Sequence, residues 1–263
     1  VSCAYTPESA MELFGSGGYD MVILMAGLDF DVPLALASKM KALWPSVPIL
    51  LLAMNNSSLS GLDAGSKACR DVIDRVFVWN GYSKLFIGMI KYVEDLWNVD
   101  NDTRVGMVLV VLLIEDSIRY YSRYLPLLYS VVMKQTQQLV EEERVVETYK
   151  ILRMRGRPKV LLATSYEEAL TLYERYEPYL LTVISDVRYG REGLEDPEAG
   201  FRFLEMTKAR KPDLPVLIQS SEPTNRDKAY ALGASFADKN SNTLARELGA
   251  FFQAQLGFGP FVF

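Results

Sequence analysis

The strongest constraint on the fold is an alternation. In the second half of this 263-residue chain, five short apolar runs (residues 108–114, 159–163, 181–185, 215–219 and 235–237) are each followed by a segment with helical spacing (117–155, 166–176, 200–209, 225–232 and 243–256). Continuous apolar runs of this length suit strands buried on both faces. Strands that alternate with helices predict an α/β fold: a parallel sheet with right-handed helical crossovers.

The first half carries a shorter version of the same pattern. Residues 21–25, 49–54 and 73–78 read as strands, and 32–42 and 83–97 as helices, the latter with apolar Leu85, Phe86, Met89, Ile90, Val93 and Leu96. The halves are weak internal repeats. Tyr19-Asp20-Met21-Val22-Ile23 parallels Tyr179-Leu180-Leu181-Thr182-Val183-Ile184, and both halves enter a strand through a Pro-x-x-Pro turn, Pro45 to Pro48 and Pro212 to Pro215. Two domains follow, 1–98 and 108–263, joined by a linker over 99–107 that is rich in Asn and Asp.

One segment breaks the rhythm. From Ser117 to Arg155 the only Gly or Pro is Pro126. One helix over 117–155 would be about 55 Å long at 1.5 Å per residue, too long for such a domain. It either projects or folds back near Glu141–Glu143. It serves either as a lengthened core helix or as a dimerisation or signalling helix.

Charge and composition exclude several classes. A net charge of −5 and a pI near 5.1 argue against a nucleic-acid surface. Two cysteines are too few for a disulfide framework and point to a reducing cytoplasm. The longest apolar run, 105–114, is far short of the roughly 20 residues that span a bilayer, so no membrane partner is expected. No signal peptide is visible, although the chain starts at Val1. The absence of histidine removes His-based triads, His zinc sites and phosphohistidine chemistry from these residues.

The polar residues that end the strands are the candidate site. Glu115-Asp116, Asp186, Ser220 and Lys239 would meet along the carboxyl edge of a parallel sheet, where open α/β sheets place their ligands. Two adjacent acids repel unless a cation or proton relieves them, and Mg²⁺ prefers carboxylate oxygens. Asp186 could then act as a nucleophile toward phosphorus, with Ser220 bonding a phosphoryl oxygen and Lys239 pairing with the charge. Taken one at a time, they also read as loop acids, a helix-capping Asp, a turn Ser and a surface Lys.

Four motifs carry a resemblance: Leu113-Ile114-Glu115-Asp116-Ser117, Val183-Ile184-Ser185-Asp186-Val187, Leu217-Ile218-Gln219-Ser220-Ser221, and Gly233-Ala234-Ser235-Phe236-Ala237-Asp238-Lys239. In order and spacing the second half resembles the receiver domains of bacterial response regulators, over about residues 108–256. The resemblance implies a flavodoxin-like fold and a non-enzymatic regulatory role in two-component signalling. It implies Asp186 as phosphoacceptor and Mg²⁺ held by Glu115, Asp116, Asp186 and the Arg188 backbone carbonyl. It also implies Ser220 and Phe236 as the switch pair and Lys239 as the phosphate partner. The expected partners are a sensor histidine kinase and either an output domain or a second copy bound through helix 117–155. The chain departs from the family in three places: at Asn240, where a Pro is usual, in the longer loop 188–198, and in its extended first helix, 117–155.

The first half resembles the same domain without its first strand and without its chemistry, with Met25, Ala53 and Trp79 at the acceptor, hydroxyl and lysine positions. It is expected to be a non-phosphorylatable scaffold. Further stretches, including Asp196-Pro197-Glu198-Ala199-Gly200-Phe201 and the terminal residues 256–263, resemble the N-terminal regulatory part of bacterial phosphoenolpyruvate synthase or pyruvate phosphate dikinase-like proteins, which would make the chain a regulatory fragment. Two other readings are an Asp186 phosphatase, disfavoured because Arg188 stands where a general acid is needed, and a phosphorylation-independent interaction module.

Overall fold

The structure is a computed structural model that describes residues 1–27, 29–59, 69, 71–142 and 157–255. The chain divides into two compact units, Val1–Met89 and Ile90–Phe263.

Unit one contains α1 (Pro7–Gly15), β1 (Val22–Ala26), α2 (Asp31–Leu43), β2 (Ile49–Ala53), α3 (Asn56–Leu59) and β3 (Arg75–Val78), in that order. Its strands form a parallel sheet in the order β1-β2-β3. The central strand β2, Ile-Leu-Leu-Leu-Ala, is buried along its whole length, as its unbroken apolar run requires.

Helix α4 (Lys84–Gly106) begins in unit one, and its residues from Ile90 onward belong to unit two. It takes in residues 99–106 of the segment 99–107 that the sequence marks as a linker. The Asn- and Asp-rich stretch stays helical because its side chains have partners. Thr103 donates to the Val99 carbonyl (2.6 Å), Asp100 accepts from Arg175 and from the Tyr176 hydroxyl (2.7 Å), and Asp102 pairs with Lys159 (2.7 Å).

Unit two continues with β4 (Val110–Ile114), α5 (Ile118–Glu142), β5 (Lys159–Ala163), α6 (Tyr166–Tyr176) and β6 (Leu180–Asp186). After β6 come β7 (Tyr189–Arg191), β8 (Leu194–Asp196), α7 (Ala199–Arg210), β9 (Val216–Ser220), α8 (Asn225–Ala231), β10 (Ser235–Asp238) and α9 (Leu244–Gln255). The five parallel strands are ordered β10-β9-β6-β4-β5. Counted along the chain this is the 2-1-3-4-5 order of flavodoxin-like folds, with its switch point between β4 and β6. The fold class is therefore α/β with parallel sheets flanked by helices, as the alternation predicts.

Helix α5 buries Tyr121, Tyr124, Leu125, Leu128, Tyr129 and Val132, a stripe at three- and four-residue spacing. At 25 residues it is long, and the part of the expected helix over 143–155 lies outside the described residues, as do the terminal residues 256–263.

The loop after Asp186 is more ordered than the sequence suggests. β7 and β8 form an antiparallel hairpin whose turn residues, Glu192 (φ 54) and Gly193 (φ 78), are both left-handed. Two consecutive positive φ angles define the turn that matches strand twist, and Gly193 supplies one at little cost. The hairpin is anchored by the fully buried Tyr189 and by the Glu192 amide donating to Glu167 (2.9 Å).

The two units share their repeated turn in detail. In unit one Lys41 Nζ donates to the Pro45 and Val47 carbonyls (3.3 and 3.1 Å), and the Val22 amide donates to Pro48 O (2.9 Å). In unit two Lys208 Nζ donates to Pro212 and Leu214 (3.0 and 2.9 Å), and the Val183 amide donates to Pro215 O (3.2 Å).

Candidate functional site

The site lies at the carboxyl edge of the unit-two sheet. Glu115 and Asp116 follow β4, Asp186 ends β6, Ser220 ends β9, and Lys239 follows β10. Parallel pairing in register brings these ends together. The Lys239 amide donates to Ser220 O (2.9 Å), and the Glu115 amide to Ala163 O (2.9 Å).

Lys239 is the hub. Its stem is buried, and Nζ lies 2.6 Å from Asp186 Oδ2 and 2.5 Å from Glu115 Oε2. The ammonium also sits 4.3 Å from the centroid of the Tyr120 ring, a cation–π contact from the first turn of α5. Asp186 Oδ1 accepts the Val187 amide (2.7 Å), which fixes the carboxylate plane. Glu115 is fully buried; its Oε1 accepts the Ser117 amide (3.2 Å) and its Oε2 faces Gln219 Nε2 (3.4 Å).

Three carboxylates share this edge with one buried ammonium. Burial, first, and the Asp186 charge push the Glu115 carboxyl up to about 8 against the opposing pull of Lys239. Asp116 is raised to about 6, by desolvation and then by Asp186. Asp116 lies open on the rim, so water screens part of that repulsion.

Carboxylate oxygens of Glu115, Asp116 and Asp186 lie within 4.8 Å of one another, close enough to bind one ion. An oxygen-only donor set with excess negative charge and an open side for water suits Mg²⁺. These three residues would hold it.

Glu115 makes the stability of the metal-free fold depend on pH. Its folded-state value lies above its ordinary 4.5, so the metal-free native state holds a proton that the unfolded chain releases. The associated stability is present below about pH 4.5 and is lost as pH rises toward about 8. The urea midpoint without metal should therefore fall between pH 6 and 8, and Mg²⁺ should raise it more at pH 8. A midpoint flat in pH and indifferent to Mg²⁺ would contradict this.

The remaining predicted residues sit around this core. Ser220 is buried, its hydroxyl oxygen accepting from the Glu222 amide and from Asn225 Nδ2 (both 3.0 Å). Phe236 is half-buried against the core, with the Arg226 guanidinium 5.3 Å from its ring. The exposed Arg188 side chain reaches Glu195 (3.5 Å) and Glu222 (3.3 Å) at the rim.

Sequence reasoning missed four contributors. Tyr120 and Gln219 touch the charged cluster, Asn225 holds the Ser220 hydroxyl, and Gly200 packs on the backbone of Asp186, where an added Cβ would meet the carbonyl oxygen at 2.0 Å. Gly200 at the start of the predicted helix 200–209 was the one visible signal.

Unit one offers an internal contrast. Asp186 pairs with Gln219 next to Ser220, and Met25 pairs with Leu52 next to Ala53. The Trp79 amide donates to Ala53 O (2.8 Å) as Lys239 does to Ser220 O. Met25, Ala53 and Trp79 thus occupy the register positions of Asp186, Ser220 and Lys239, with no carboxylate, hydroxyl or ammonium among them.

No protein-family model and no curated protein matches the chain. Among solved structures, a response regulator receiver domain protein from Clostridium thermocellum is similar at 19% identity and a TM-score of 0.35, over 57% of this chain and 95% of that one. Among the described residues, no helix is long and apolar enough to cross a membrane.

Proposed function

We propose that unit two is a Mg²⁺-dependent phosphoacceptor module of the response-regulator kind, and that Asp186 is the residue modified. The supporting observation is Lys239 Nζ bridging Asp186 and Glu115 at 2.6 and 2.5 Å within a three-carboxylate cluster. An Asp186 oxygen attacks phosphorus, a new O–P bond forms, and the bond to the donor's leaving group breaks with its electron pair. Mg²⁺ held by Glu115, Asp116 and Asp186 would supply neutralising charge for the phosphoryl oxygens. Lys239 gives up part of its bond to Asp186 and pairs with the new phosphate, and Ser220 donates to another oxygen.

The added charge then biases a two-state element. Ser220 and Phe236 shift together, and the α8 and β10 face changes its partner preference. The donor in this reading is a sensor histidine kinase, and the setting is cytoplasmic. Unit one serves as a scaffold that cannot be phosphorylated. The readout passes to an output domain or a second copy through α5, and no catalytic turnover is assigned to these residues.

The test is a fluoroberyllate titration by calorimetry, with and without Mg²⁺. Saturable binding only with Mg²⁺, lost in Asp186→Asn, is expected. If Mg²⁺ makes no difference, the phosphorylation-independent interaction module becomes the better account.

A further inference from the structure

We propose that Asn225 is a positioning residue that latches the Ser220 hydroxyl in its resting place, and that this latch sets how readily the site accepts a phosphoryl group. The inference rests on the phosphoacceptor reading above and extends it to a residue outside the strand-end cluster.

Ser220 Oγ has two acceptor lone pairs, and the Glu222 amide and Asn225 Nδ2 each donate to it at 3.0 Å. The Ser220 backbone is pinned separately by the Lys239 amide (2.9 Å), so the hydroxyl is the part free to move. The loop that holds it is closed on itself, since the Asn225 amide donates to Glu222 O (3.2 Å). Moving Oγ toward Asp186 breaks both bonds. The Glu222 bond belongs to a local turn, whereas the Asn225 bond ties Ser220 to the first residue of α8.

That helix also carries the next link. Arg226 covers the Phe236 ring at 5.3 Å, and Phe236 on β10 is in register with Ile218 on β9. Releasing Asn225 therefore loosens the end of α8 that holds the ring. A contact made only in the resting state lowers the apparent affinity of any ligand that selects the other state. One ordinary hydrogen bond biases such an equilibrium by about two- to tenfold.

The experiment is a double-mutant cycle read by Mg²⁺-dependent fluoroberyllate affinity in wild type, Asn225→Ala, Ser220→Ala and the double variant, all confirmed folded by circular dichroism. Asn225→Ala should bind about two- to tenfold tighter than wild type, and the gain should vanish when Ser220 is alanine. Equal or weaker binding by Asn225→Ala overturns the latch. So does a gain that persists without the Ser220 hydroxyl, since Asn225 would then act elsewhere. Wild-type protein that binds no fluoroberyllate overturns the phosphoacceptor reading itself, a distinct result from a wild type that binds and a variant that does not differ.

Discussion

Replacing Asp95 with alanine is expected to cost about 3–5 kcal/mol of stability and to lower the melting temperature by about 6–20 °C. Asp95 is fully buried on α4 and meets the Arg157 guanidinium with both oxygens, at 3.1 and 2.7 Å. It also accepts the Val160 amide at 2.8 Å, at the start of β5. Truncation leaves a buried guanidinium and a buried amide without that partner, and the desolvation cost of both remains. Lys159 is less affected, because it lies 3.8 Å from Asp95 but 2.7 Å from Asp102. Asp95→Asn keeps an acceptor and should lose less. Thermal melts of the two variants check this, and a loss under about 1 kcal/mol for the alanine would show that the cluster contributes little.

The second large effect is expected at Gly200. A Cβ there would stand 2.0 Å from the Asp186 carbonyl oxygen and 2.9 Å from both Asp186 C and Val187 Cα. All three are backbone atoms, so relief requires moving α7 or the end of β6. Gly200→Ala should destabilise by about 1–3 kcal/mol or more, as overpacking does. It should also displace the Asp186 carboxylate and weaken Mg²⁺ affinity by about tenfold. Gly249, inside α9 with nothing within 4 Å, is the control. Gly249→Ala should be neutral or stabilising by up to about 1 kcal/mol, with Mg²⁺ affinity unchanged. Equal behaviour of the two alanines would contradict the packing argument.

Much of the fold was legible because buried parallel strands are written as plain apolar runs. All five strands of the unit-two sheet and its order along the chain follow from that period. The helical state of residues 99–106 was not legible because Asn and Asp favour turns when their side chains have nothing else to bind. Here Asp100 and Asp102 are committed to Arg175, Tyr176 and Lys159, contacts more than 50 residues away that no local rule detects. The hairpin after Asp186 was missed because its turn places Glu192, a residue not favoured there, at positive φ. Asp186, Glu115, Asp116 and Lys239 were readable because each ends a strand or follows one within two residues. Asn225, Gln219 and Tyr120 act from helices and strand interiors, where only the three-dimensional arrangement reveals their partners.

One sheet edge carries Asp186, Ser220 and Lys239, and the equivalent edge carries Met25, Ala53 and Trp79. The direct measurement is intact-mass and peptide mapping after incubation with a small phosphodonor and Mg²⁺. The account predicts a single phosphoryl group, carried on Asp186, absent without Mg²⁺ and absent in Asp186→Asn. Labelling that survives Asp186→Asn, or that maps to residues 1–89, would contradict it.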